Sequence, residues 1–163
     1  MISFEEHGMR FNYRAVAIVL HQDRVLVHRV EDEDFWSLPG GRVELCEAAA
    51  AAVRREMHEE LGVDVTVERL IWLAETFFEH GDERHHELGL YFLVSLAPEA
   101  PIAALREPFF GDEGGLRLIF EWAPLSDLEA LALPLYPIFL RQGLRALPAT
   151  VTHIVHYETA DGP

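Results

Sequence analysis

The segment that most constrains this chain is the run from Ala48 to Leu61, set between Gly40, Gly41 and Gly62. Its first six residues are Ala or Val, and Ala is the strongest helix former. Gly62 stands just past the last periodic residue, where a glycine usually ends a helix. The pattern predicts a helix over 48–61. At about 100° per residue, Glu56, Glu59 and Glu60 share one side, and Val53, Met57 and Leu61 fall on the adjacent arc. One face is suited to packing and its neighbour presents three carboxylates.

The carboxylate face is unfavourable by itself. Like charges three or four residues apart cost roughly 0.2–0.5 kcal/mol per pair, and a helix C-terminus disfavours anions. A solvated surface in which Arg55 pairs with Glu59 is the bland explanation. A cation site is the functional one. Oxygen ligands without His or Cys suit Mg²⁺, Mn²⁺ or Ca²⁺.

Composition narrows the partners. The formal net charge is −15, and all 13 basic residues are Arg. The absence of Lys excludes a Walker-type phosphate-binding Lys and Schiff-base chemistry. An acidic chain gains nothing from counterion release, so no nucleic-acid partner is expected. A phosphate substrate would have to be received by cations or local Arg residues. No apolar run reaches the roughly 18 residues of a membrane span, so no membrane partner is expected. Residues 1–10 carry Glu5, Glu6 and His7 and lack the apolar core of a secretory signal. The single Cys46 cannot form an internal disulfide, which fits a reducing cytoplasm. Beside an Ala-rich helix start, it reads as a small buried thiol rather than a nucleophile.

Strands are expected over 14–21 and 24–30, joined as a hairpin by Gln22 and Asp23. An acidic loop, 31–34, leads to a short extended segment over 35–38, and Pro39, Gly40 and Gly41 then break regular structure. Residues 64–78 read as one long strand or two, with 85–96 as partner and 80–84 as the turn. Residues 98–115 read as loop and 116–122 as strand. Helices are expected over 126–133, with Ser126 and Glu129 as a capping box, and over 136–147. A final edge strand spans 151–157. The whole reads as one α+β domain, 1–163, with a frayed tail over 158–163.

The spacing of the carboxylates decides between the two explanations of that face. From Gly41 to Val63 the sequence resembles the signature of the Nudix hydrolase family, G-x5-E-x7-R-E-U-x-E-E-x-G-U, with U a bulky aliphatic residue. Gly41, Glu47, Arg55, Glu56, Glu59, Glu60, Gly62 and Val63 occupy its positions in order, and Met57 fills the first U. The approach Trp36-Ser37-Leu38-Pro39-Gly40-Gly41 and the segment Glu121-Trp122-Ala123-Pro124-Leu125 are also similar to the family. The likeness is weakest towards the C-terminus.

The resemblance implies an α/β/α sandwich around a mixed sheet and a divalent metal, Mg²⁺ with Mn²⁺ as a substitute. It implies Glu59 and Glu60 as principal metal ligands, Glu56 as a further ligand that helps activate water, and the Gly41 carbonyl as an added ligand. Arg55 would orient the glutamates, and Glu47 and Gly62 would support the loop–helix structure. A late-loop carboxylate often joins such sites; among Glu107, Asp112 and Glu113, Glu113 is favoured, because flanking glycines allow close approach. The implied reaction is in-line attack of water on one phosphorus of a diphosphate, with a Glu taking the proton. The substrate would be a nucleoside diphosphate linked to another group, such as a nucleoside triphosphate, ADP-ribose or a nucleotide sugar. The alternative is a non-catalytic sensor of nucleotide or ADP-ribose. Homodimers are common in the family.

The sequence leaves the substrate-binding residues open. Phe78 and His80 stand where ADP-ribose and dinucleoside-polyphosphate members tend to carry Pro and Tyr. His80, His85 and His86 cluster near a turn, but adjacent His on a strand point to opposite faces, which disfavours zinc. Phe77, Phe78 and Tyr91 could stack a base or pack the sheet, and packing is the better reading. Trp36 and Trp122 read as packing residues, and His58 as surface.

Overall fold

The structure, a computed structural model, describes residues 1–158. Its strands are β1 (Ser3–Glu6), β2 (Met9–His21), β3 (Arg24–Val30), β4 (Gly40–Arg42), β5 (Val65–His80), β6 (Glu83–Leu96), β7 (Phe109–Glu113), β8 (Leu116–Pro124) and β9 (Thr152–Tyr157), the longer ones rich in β-branched and aromatic residues. The main path through the sheet is β7-β8-β3-β2-β6-β5-β9, and β1 and β4 also pair with β2. β2 with β6 and β5 with β9 are parallel, while the remaining pairs are antiparallel. The mixed sheet with few helices is the α+β architecture expected from the sequence.

The expected helix is present as α1 (Ala49–Leu61), and Gly62 closes it at φ 66 with its N–H donated to the His58 carbonyl at 2.8 Å. Alternation along the strands supplies two cores. Ala15, Ala17, Val19, Leu26 and Phe120 face α1 and bury Ala52, Val53 and Met57. Val16, Ile18, Val27, Trp36, Trp72 and Tyr91 face the other way, under Leu128, Leu135, Leu140 and Leu144. Trp36 and Trp122 pack as expected.

Several expected elements differ. Residues 126–133 form no helix; only a 3₁₀ turn, Leu125–Asp127, is present, and it has no side-chain cap. The helix expected over 136–147 contracts to one turn, α2 (Leu140–Gly143). The backbone there is committed elsewhere. The Trp36 N–H donates to the Pro134 carbonyl at 2.7 Å, and the Tyr136 N–H donates to the Trp36 carbonyl at 2.9 Å. Pro137 brings no N–H at all. Gly40 and Gly41, read as breakers, form β4 against Val16 and Ala15. The supposed loop at 98–115 contains a 3₁₀ turn, Pro101–Ala104, and β7. The N-terminal residues add β1 and lengthen β2. Cys46 is exposed rather than buried, at φ 63 in the turn before α1. Glu158 is anchored rather than frayed, because its N–H donates to the Phe77 carbonyl at 2.9 Å and its side chain accepts from the Ile138 N–H at 2.6 Å. The rest of the expected tail, 159–163, lies outside the described residues. Among the described residues, no helix is long and apolar enough to cross a membrane.

Candidate functional site

Two close approaches build the site. β4 brings Gly41 against the side chain of Glu56, where any Cβ would collide with the carboxylate. β7 brings Gly111 against the Glu60 carbonyl, where a Cβ would meet that oxygen and the Phe120 ring. Glu113 lies two residues beyond Gly111, hence on the same face of β7. With α1 seated on its apolar stripe, Glu56 and Glu60 turn inward and are 7% and 3% exposed. Carboxylate oxygens of Glu56, Glu60 and Glu113 lie within 4.8 Å of one another.

Glu59 takes a different position. It is exposed and accepts a hydrogen bond from Arg55 Nη1 at 3.1 Å. The same Nη1 donates to Glu56 Oε1 at 2.7 Å. Arg55 Nε and Nη2 donate to the two oxygens of Glu47, each at 2.9 Å, and Nη2 reaches the Arg42 carbonyl at 3.2 Å. Glu47 also accepts the Glu44 N–H at 2.9 Å. One guanidinium thus ties the entry loop, Glu56 and Glu59 together, using the planar fork that Lys lacks. The i,i+4 pair that could have been mere surface chemistry is one arm of this fork.

Glu56 and Glu60 sit in an environment that resists their charge. Burial, reinforced by Glu113 and Glu56, pushes the Glu60 carboxyl up to about 8. Burial also raises Glu56, against the pull of Arg55. Glu47 moves down because Arg55 hydrogen-bonds its charged form. Burial brings His28 down to about 3, so its imidazole is neutral. Both Glu60 carboxylate oxygens are buried without a hydrogen-bond donor. Unpartnered buried carboxylate oxygens are costly, and a divalent cation satisfies them. Together with Glu56 and the exposed Glu113, Glu60 forms the hard-oxygen set that Mg²⁺ or Mn²⁺ takes. The donor set therefore fits such an ion, with Glu56, Glu60 and Glu113 as the residues that would hold it.

The family model for the NUDIX domain matches residues 12–144. The chain belongs to the Nudix hydrolase family. An RNA pyrophosphohydrolase of Cellvibrio japonicus is 28% identical over 142 residues, covering 78% of this chain and 83% of that protein. The low-salt glycan biosynthesis protein Agl8 of Haloferax volcanii is 35% identical over 86 residues, or 48% of this chain; the chain spans 55% of that relative's length. The mutator protein MutT of Bacillus halodurans shares the fold, with TM-score 0.58 and 22% identity over 90% of each chain.

In this Nudix chain the other late-loop candidates stand apart from the cluster. Glu107 is exposed ahead of β7, and Asp112 accepts the Gly115 N–H at 3.1 Å. His85 and His86 point to opposite faces: His85 stacks on Phe78 at 4.8 Å and His86 on Phe77 at 4.4 Å. His80 packs edge-on against Phe35 at 5.7 Å. Tyr91 is buried, as packing requires. Phe77 and Phe78 are only half-buried and line an open cavity of about 710 Å³. There a row of rings, Phe4, Phe11, His86, Phe77 and Tyr157, runs in register across β1, β2, β6, β5 and β9.

Sequence reasoning missed two residues beside the carboxylates. His28, on β3, places Nδ1 3.6 Å from Glu60 Oε2. Arg14, on β2, donates to the Gly40 carbonyl at 3.1 Å. Burial works against the charge of Arg14, but Glu87, Glu60 and Glu113 around it hold it charged. Both residues sit inside ordinary strand patterns, so no local signal marks them. Glu113 had a signal: Gly114-Gly115 is a strong hairpin turn, and it joins β7 to β8 with φ 58 and 91.

Proposed function

We propose that this chain hydrolyses the diphosphate bond of a nucleoside diphosphate linked to another group, with Mg²⁺ held by Glu56, Glu60 and Glu113. The observation that carries this reading is the trio of converging carboxylates with both Glu60 oxygens lacking a donor. Glu59, exposed on the outer side of Arg55, is assigned to the same ion field, and the Gly41 carbonyl to its edge. When bound, the ion neutralises phosphate charge and makes water a better nucleophile. Arg55 holds Glu56 and Glu59 in place and keeps the entry loop on the helix through Glu47. The Glu56 carboxylate, whose proton affinity burial raises, accepts the proton of the attacking water. Arg14, whose charge is sustained by Glu87, Glu60 and Glu113, is assigned to receive a substrate phosphate.

With a net charge of −15, the chain suits a small nucleotide better than a polyanion. A cytoplasmic setting and a homodimer belong to the same reading. The exposed ring row, with Phe4 56% and Tyr157 64% exposed, is the face assigned to the second copy.

The test is product analysis on a panel of nucleoside triphosphates, ADP-ribose, nucleotide sugars, dinucleoside polyphosphates and 5′-triphosphorylated RNA, with Mg²⁺ and with EDTA. Metal-dependent cleavage of a small nucleotide is the expected result. Binding of a nucleotide without cleavage of any compound would replace this reading with that of a sensor.

A further inference from the structure

The Glu60 carboxylate is locked inside the fold, and an ion can satisfy only part of its demand. A carboxylate has about four lone-pair positions. A ligand oxygen turned towards the ion leaves its partner oxygen in need of a donor, and that donor fixes the direction of the ligand. Bulk solvent barely reaches it, because the Glu60 side chain is 1% exposed. Among the described residues, His28 is the base within ion-pair distance of Glu60, and its own side chain is 6% exposed.

The His28 ring is held firmly. Its backbone pairs with Phe120 on β8. On the other side its N–H donates to the Ser37 carbonyl at 2.8 Å, and its carbonyl accepts the Ser37 N–H at 2.9 Å. The ring lies 5.3 Å from that of Phe120, so it is packed against the same aromatic that backs Gly111. Nδ1 has no hydrogen-bond partner, and neither does the Glu60 oxygen facing it. At 3.6 Å the two stand just beyond hydrogen-bond range, which ends near 3.2 Å.

We infer that His28 is a positioning residue: with an ion bound, a shift of a few tenths of an ångström brings its Nδ1–H into hydrogen-bond range of Glu60 Oε2 and turns the other carboxylate oxygen towards Glu56 and Glu113. His28 touches neither substrate nor ion and acts only through Glu60. The inference rests on the metal-site reading above. It assigns the strand approach Trp36 to Gly41 a second role, since Ser37 anchors the backbone that aims the ring.

The test compares wild type, His28→Phe, His28→Gln and Glu60→Gln by Mn²⁺ titration read from the free-ion electron paramagnetic resonance signal. His28→Phe fills the space without a donor and is expected to weaken Mn²⁺ binding about 10–100-fold. His28→Gln restores an N–H donor and is expected to recover most of that loss. Equal affinity of His28→Phe and wild type, with Glu60→Gln impaired, would overturn the inference and leave the metal-site reading intact. Absence of Mn²⁺ binding by wild type would overturn both. Imidazole nitrogen NMR of the wild-type protein decides the matter even where a variant does not fold. Nδ1 should carry the proton and its resonance should move when Mg²⁺ is added. A proton on Nε2 alone would overturn the inference.

Discussion

Arg55 grips Glu47 through two parallel hydrogen bonds, Nε to Oε1 and Nη2 to Oε2, both at 2.9 Å. The residues are eight positions apart, so the pair ties the loop before α1 to the middle of the helix. Hydrogen bonds to charged groups contribute roughly 1.5–3 kcal/mol each. Arg55→Lys keeps the charge but loses the fork, and Glu56 and Glu59 lose a shared donor. The expected result is a fall in turnover of at least about tenfold, roughly 1.4 kcal/mol, with a lower melting temperature. Steady-state kinetics and thermal denaturation check it.

Gly111 lies outside the signature, yet its close approach is to backbone, whereas that of Gly41 is to the Glu56 side chain. A Cβ at 111 would meet the Glu60 carbonyl, so β7 would have to move away from α1. Gly111→Ala is expected to separate Glu113 from Glu60 and weaken Mn²⁺ binding while the sheet stays folded. Calorimetric titration with Mn²⁺, beside circular dichroism, reads both. Unchanged affinity would show that β7 does not place the third carboxylate.

Glu113→Gln should lower metal affinity and turnover together, whereas Glu107→Gln should leave both unchanged. The contrast tests the assignment of the late-loop ligand, since these residues are six positions apart and only Glu113 joins the cluster. Equal effects, or an effect of Glu107→Gln alone, would reassign it.

The metal-free protein should show a pH signature traceable to Glu60. Its folded carboxyl sits at about 8, above its ordinary 4.5. Between those values the folded state binds more protons than the unfolded state, so this group's contribution to stability falls as pH rises. Below about 4.5 the contribution is fully present. The melting temperature of wild type, measured against Glu60→Gln, should therefore drop from pH 5 to pH 8. Mg²⁺ competes with the proton, so its affinity should rise over the same range. A difference that does not change with pH would contradict the buried, donor-free placement of Glu60.

The ring row makes a separate prediction about assembly. Sedimentation of wild type should report a dimer, and the double variant Phe4→Glu and Tyr157→Glu should report a monomer with its fold intact. A wild-type monomer would remove the second copy from that face.

The site was legible where local spacing dictates geometry and hidden where the fold brings distant strands together. The periodicity of 48–61 and the Gly62 stop placed α1 and its two faces before any tertiary information. The period could not say which carboxylates turn inward. Seating Val53 and Met57 fixes the helix roll, buries Glu56 and Glu60, and leaves Glu59 outside. His28 and Arg14 were invisible because a strand pattern registers side-chain alternation, not the partner a side chain meets across the sheet. The C-terminal segment misled for a different reason. Its Leu-rich spacing looked helical, but Trp36 takes the backbone groups of Pro134 and Tyr136, a pairing between residues about one hundred positions apart. Gly114-Gly115 carried a readable hairpin signal, and the acids and prolines upstream masked it.

The most direct test of the account is turnover as a function of Mg²⁺ concentration for wild type and Glu60→Gln, on the compound that wild type cleaves best. Circular dichroism would confirm that both are folded. The account predicts saturable, EDTA-sensitive turnover for wild type and a loss of at least about a hundredfold, roughly 2.7 kcal/mol, for the variant. Turnover that needs no divalent ion, or that survives Glu60→Gln, would contradict the claim that this buried carboxylate cluster is the hydrolytic centre.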